Sequence, residues 1–280
     1  MRARLLILGA MVTVAGLALA SAQTPASAPA VPTYAVGRTV DAITVDGRLD
    51  EMTWALLPRV GAMRLITDVH RAPAFPTEAA MAWDDQHLSV SFACTDATAW
   101  ARPHQRDDAL WNEEVVEVFL DPDGDGTNYA EIEVNPDNVV VDLLIARPRA
   151  SGPNARAWNA AGMKTAVQRH GAGWTVEIAI PWASLGDAGV SAAPSAGQRW
   201  RVGLYRIERP GGVAKSDRVR AMRDEARSAA ADRKAALDKE LQALQAGDEY
   251  AAWSPTRADR GFHDPERFGI VEFAGVGRTP

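Results

Sequence analysis

A single cysteine, Cys94, occurs in the 280 residues, so no disulfide can form within the chain. A stapled mini-scaffold is thereby excluded, and the fold must rest on a packed core. Histidine is scarce as well, with five in all and no metal-binding cluster. No Gly-rich phosphate loop and no Ser/His/Asp order stands out, which leaves nucleotide binding and triad hydrolysis without support. There is no basic stripe either. With 30 Lys+Arg against 36 Asp+Glu the net charge is −6, which argues against a nucleic-acid partner. Beyond residue 20, no apolar run resembles a membrane span.

The one long apolar run is at the start. Arg2 and Arg4 precede an apolar segment over 5–20, and Ala20-Ser21-Ala22 offers small residues for cleavage. This pattern predicts a signal peptide over 1–22, hence export to the periplasm or beyond, with no membrane contact after cleavage. Residues 23–39 read as a Pro/Ala-rich tether. About 245 residues then remain, and one large β domain over 40–273 is expected. Cys94 ends an alternating run and reads as a buried thiol.

Short strand-like runs recur at 42–45, 79–83, 88–94, 115–120, 129–134, 139–146, 163–169, 174–180, 199–208 and 268–273, separated by Gly, Pro, Asp and Asn. This spacing predicts an all-β fold, an antiparallel jelly-roll-like sandwich with one face of each strand buried and the other polar. Trp54, Trp83, Trp174, Trp182 and Trp200 lie in or beside such runs and read as core, whereas Trp100 and Trp253 could line a groove. From 216 to 246 the chain changes character: no Pro, no Gly, and apolar residues at three- and four-residue steps. One long helix of about 45 Å is expected there, within an insertion over 213–248. It could lie on the sandwich, project from it, or associate with a second copy or another protein.

The most informative segments join aromatic residues to carboxylates. In the run 129–135, Ala130, Ile132 and Val134 point one way, and Tyr129, Glu131, Glu133 and Asn135 the other. Acids and an amide beside aromatic rings suit a ligand with apolar faces and a polar rim, as a sugar has. Asp121, Asp123 and Asp125 follow one another in a Gly-rich turn that resembles half a calcium loop. The EF-hand spacing would require glutamate at Ile132, so a hairpin turn competes with a structural calcium site of another kind.

Val45-Asp46-Gly47-Arg48-Leu49-Asp50-Glu51-Met52-Thr53-Trp54 resembles the opening of carbohydrate-binding module family 9 domains. The resemblance continues through Trp83-Asp84-Asp85, Leu110-Trp111-Asn112-Glu113-Glu114 and Gly173-Trp174-Thr175, and closes with Trp253-Ser254-Pro255-Thr256 and Pro265-Glu266-Arg267-Phe268-Gly269. It implies a β-sandwich in which two aromatic side chains hold a terminal sugar. By this resemblance the aromatics fall on Trp111 and Phe262, and the polar contacts on Glu117, Glu133 and Asn135. Glu133 stands where sugar-binding members can carry a basic residue. A non-catalytic carbohydrate-binding protein associated with saccharide breakdown is expected, with an oligosaccharide or polysaccharide as partner. Two alternatives remain open: a glycoside hydrolase using Glu117 and Glu133, and a haem-binding sandwich using Met163 with Lys164, or His104.

Overall fold

The computed structural model describes residues 30–102, 104–148 and 155–275. The expected signal peptide over 1–22 and the tether residues 23–29 lie outside these residues. Twelve strands form one large mixed sheet. In chain order they are β1 (Thr33–Arg38), β2 (Arg64–Leu65), β3 (Thr77–Trp83), β4 (His87–Thr95), β5 (Val115–Asp121), β6 (Tyr129–Val134), β7 (Val140–Ile145), β8 (Lys164–His170), β9 (Gly173–Pro181), β10 (Arg199–Glu208), β11 (Glu249–Ala252) and β12 (Gly269–Phe273).

One half of the sheet runs β7-β6-β5-β10-β12 and the other β3-β4-β9-β8, with β1 between them. Residues 33–36 of β1 pair with β12 and residues 37–38 with β3, both in parallel. This corrects two expectations. The sheet is mixed rather than purely antiparallel, and the domain starts inside the supposed tether, because Tyr34 and Val36 are buried. Both halves contribute to one core: Val116, Val118, Ile132 and Leu204 from the first, Val90, Phe92, Val176 and Ile178 from the second. Alternation explains that side of each strand, as β9 sends Trp174, Val176, Ile178 and Ile180 inward. The five expected core tryptophans are buried, and so is Cys94, whose thiol burial pushes up to about 11. Trp253, a groove candidate in the sequence, is instead buried with an edge contact to Tyr34.

The stretch 42–45 is not a strand. It belongs to a loop pinned to β9 by Glu177, which accepts hydrogen bonds from the backbone N–H groups of Asp46 and Gly47 and from Trp54 Nε1. Trp54 itself sits on a short helix, α1 (Met52–Leu56).

The expected single helix is two, α2 (Gly212–Ser228) and α3 (Ala231–Leu244), broken at Ala229 and Ala230 in extended backbone. Folding back lets a thin apolar stripe cover itself: Val219 and Met222 pack with Leu237 and Leu241. Arg233 bridges the two helices through Glu225 at 2.7 Å. The insertion therefore carries its own small core.

Candidate functional site

The outward face of β5, β6, β7 and β10 is not the solvated face that alternation suggests. Every residue of β5 and β6 is buried. A second apolar cluster lies over this face, where Phe119, Tyr129 and Tyr205 meet Leu110, Phe262 and Phe268 from flanking loops. Gly269, at the end of that cover, is required by packing: a Cβ there would lie 2.5 Å from the Trp253 ring.

A cavity of about 510 Å³ remains within this cover, open at one side. Its floor carries Glu117, Glu131 and Glu133, and its walls include Trp111, Asn112, Tyr250, Phe262 and His263, with Leu143, Ile145 and Ile207 as apolar lining. Register explains the floor. Glu117 of β5 stands directly opposite Glu133 of β6, and Glu131 is two residues along on the same face. Carboxylate oxygens of the three lie within 4.8 Å of one another.

These acids sit under strong electrostatic tension. Burial, reinforced by neighbouring carboxylates, holds Glu117 and Glu133 well above the usual carboxyl range, and burial lifts Glu131 to about 7. Neither oxygen of Glu133 accepts a hydrogen bond from any N–H or hydroxyl donor. His263 Nε2 lies 3.8 Å from Glu131 Oε2, while its Nδ1 is 2.8 Å from the Tyr129 hydroxyl. Arg209 also lines the cavity, but its guanidinium is engaged by Asp248 at 2.7 Å and by the Trp111 carbonyl at 2.9 Å.

The sequence candidates divide on this geometry. Trp111 sits on the short 3-10 turn Leu110–Asn112, half-buried, with the Arg156 guanidinium 5.2 Å from its ring centroid. Phe262 reaches the cavity, yet its ring is stacked on Tyr205 at 4.2 Å and is buried, so it is a packed wall rather than an exposed platform. Glu117 and Glu133, the polar contacts that the resemblance implies, lie together on the cavity floor and are buried. Asn135 is not among the cavity walls; its Oδ1 accepts from the backbone N–H groups of Asp137 and Val139 and closes the turn after β6. Glu131 was legible as a neighbour of Glu133 but not as a third member of the group. Tyr250 and Arg209 had no sequence signal. They arrive because β10 and β11 pair across the insertion, with Ile207 opposite Tyr250.

The other candidates lie elsewhere. Asp121 is buried in the β5–β6 turn, where its two oxygens accept from the backbone N–H groups of Gly124 and Gly126 at 3.1 Å each. Asp123 and Asp125 are exposed beside it, with carboxylate oxygens of the three within 4.8 Å. Burial lifts Asp121 to about 6. His104 is held between Asp108 at 3.3 Å and Glu113 at 3.1 Å, and Met163 packs against the main core beside an exposed Lys164, so the haem alternative gains no open ligand pair. Glu117 and Glu133 share one floor, whereas a glycosidase pair must flank the scissile bond from two sides at about 5–9.5 Å. Hydrolysis is not favoured by this arrangement.

The family model described as "Carbohydrate family 9 binding domain-like" matches residues 45–276. The chain belongs to this family. Among known proteins, this family-9 domain is 30% identical over 144 residues to the exoglucanase XynX of Acetivibrio thermocellus, a match covering 50% of this chain and 12% of that enzyme. The chain thus spans a small part of such relatives. Among solved structures it resembles a family-9 carbohydrate-binding module of Caldicellulosiruptor kristjanssonii in complex with cellotriose. The TM-score is 0.56 at 14% identity, covering 88% of this chain and 95% of that one. A family-9 carbohydrate-binding module of the same organism in complex with glucose gives 0.53 at 13% identity, covering 89% of this chain and 100% of that one. At such identity the likeness is one of fold.

Proposed function

We propose that this family-9 domain is the non-catalytic carbohydrate-binding part of an exported protein that takes part in saccharide breakdown. The observation that carries the reading is the cavity itself: aromatic and aliphatic walls over a floor of buried hydrogen-bonding groups. Apolar walls cover the C–H faces of a pyranose ring, and the floor meets its hydroxyls. The two halves of the sheet, closing on a shared core, are read as the two layers of the expected sandwich. Export is inferred from the apolar run over 5–20; among the described residues, no helix is long and apolar enough to cross a membrane.

The test is binding of β-1,4-linked oligosaccharides by the purified protein and by Trp111→Ala. A stacked ring on comparable aromatic platforms contributes about 1–3 kcal/mol. Affinity should therefore fall by roughly fivefold to 150-fold, with the melting temperature near that of the parent. A Trp111→Ala protein that unfolds would make Trp111 a packing residue, and unchanged affinity would remove it from the site.

A structural calcium ion at Asp121, Asp123 and Asp125 belongs to the same proposal. The all-oxygen donor set suits a hard cation: each Asp121 oxygen keeps a lone pair beyond its one backbone hydrogen bond, whereas Asp125 Oδ1 already accepts from the N–H and the hydroxyl of Thr127. Calcium should raise the melting temperature and EGTA lower it, with a weaker response in Asp123→Asn. Coincident melting curves would make the turn a self-sufficient hairpin.

A further inference from the structure

We propose that the cavity selects a sugar bearing a free amine: the ammonium group of an amino sugar binds among Glu117, Glu131 and Glu133 while Trp111 and the aliphatic walls take the ring. This deepens the carbohydrate-binding reading and rests on it.

The floor is built for a cation and lacks one. Three carboxylates meet within 4.8 Å, all buried, on two adjacent strands. Ionised together without a cation they would repel across the strand pair, and burial magnifies the effect, so the ligand-free floor holds protons that a bound cation would displace. A structural acid cluster is normally offset by a basic side chain inserted among its members. Elsewhere in this fold that is what occurs: Asp96, Glu114 and Glu208 surround the buried Arg206. Among the described residues no arginine or lysine is hydrogen-bonded to Glu133, whose two oxygens are buried, without a donor, and at the cavity wall. Of the two arginines that line the cavity, Arg209 is turned to Asp248 and the Trp111 carbonyl, and Arg223 comes from the helical hairpin. Arg156, over the Trp111 ring, acts on Glu133 through its charge without a hydrogen bond to it.

An ammonium group supplies what is missing. It brings one positive charge and three N–H donors, against three acceptor carboxylates in reach of a single point. A neutral hydroxyl brings one donor and no charge. A bare calcium ion would want six to eight oxygens and no hydrocarbon, whereas Leu143, Ile145, Ile207 and the Trp111 ring make up much of the remaining wall. The cavity volume, about 510 Å³, is that of a small-molecule site rather than an ion site. Ring and ammonium together fill both parts.

The experiment is calorimetric titration of the intact protein with the β-1,4-linked trimers of glucosamine, N-acetylglucosamine and glucose. These share a ring and linkage and differ only at C2, which carries an ammonium, an acetamide or a hydroxyl. The glucosamine trimer should bind at least tenfold more tightly than either of the others, and Glu133→Gln should bring the three affinities to within about threefold. If Glu133→Gln does not fold, Glu131→Gln should give the same levelling. Equal binding of all three trimers, or a preference for the glucose or acetylated trimer, would overturn the amine selection and leave the carbohydrate reading standing. No binding of any trimer would fail both. Calcium chloride that binds with a heat lost in Glu133→Gln, and that blocks the glucosamine trimer, would make the floor a metal site and also overturn the inference.

Discussion

At the scale of single residues, the acid floor couples stability to pH. Glu117, Glu131 and Glu133 titrate in the folded chain above their unfolded value of about 4.3, chiefly through burial. The folded state therefore holds protons that the unfolded chain has already released. The contribution is fully present below about pH 4.3 and is lost as pH rises through 7, where Glu131 titrates, and beyond. The melting temperature of the ligand-free protein should fall between pH 5.5 and 8.5. Glu133→Gln should make that fall shallower and raise the melting temperature at pH 8.5, since a carboxyl that must ionise without a donor is replaced by a neutral amide. Glu114, lifted to about 10 by burial and by Glu208, contributes in the same direction in both proteins, so the quantity to read is the difference between the two slopes. Parallel slopes would mean that Glu133 is already ionised in the folded protein at pH 5.5, as it is in the unfolded chain, and that its pKa is not raised.

Among the elements, the helical hairpin is the one joined to strands that pair without it. β10 and β11 pair antiparallel with Glu208 opposite Glu249, so the ends of the insertion are already held together without it. Arg209 and Asp248 close the gap with a 2.7 Å ion pair. Replacing residues 210–247 by a two-residue Asn-Gly turn should leave a folded protein, because that turn matches the twist of paired strands and loop closure depends weakly on length. Circular dichroism should lose its helical component while the melting temperature stays within a few degrees. The counterforces are the contacts Arg102 makes to Asp217 and Ser216, and Lys215 makes to Asp248. An insoluble product would show that these contacts, and not the strand pairing, hold the β10–β11 end in place. The break at Ala229 and Ala230 had no local cause, since alanine is the best helix former. It is decided by burial, as one straight helix would leave the stripe of Val219, Met222, Leu237 and Leu241 in water.

For the whole molecule, β1 is the strand on which the sheet's continuity depends. Its six residues pair with β12 at one end and β3 at the other, and place Tyr34 and Val36 in the shared core. Each such side chain contributes about 1.5–3 kcal/mol by burial, against a total stability on the order of 5–15 kcal/mol. A protein beginning at residue 31 should fold and melt cooperatively, whereas one beginning at residue 40 should be insoluble or lack a cooperative transition. Cooperative melting of both would demote β1 to an ornament of the sheet. Much of this architecture could be read directly from residue order. Strict alternation in 174–180 and 129–134 marked β9 and β6, and Trp54, Trp83, Trp174, Trp182 and Trp200 lay in or beside strand runs and are core. Parity put Glu131 and Glu133 on one face, because a strand's period of two depends only on backbone geometry, whereas it is register that stands Glu117 opposite Glu133. What covers that face could not be read this way. Phe262 and Phe268 come from more than a hundred residues downstream to bury it, and Tyr250 arrives from beyond the hairpin. Alternation tells which residues share a side; only chain segments distant in sequence decide whether that side meets water, a core or a ligand. The tertiary structure alone therefore turned the polar face of two strands into a buried carboxylate floor.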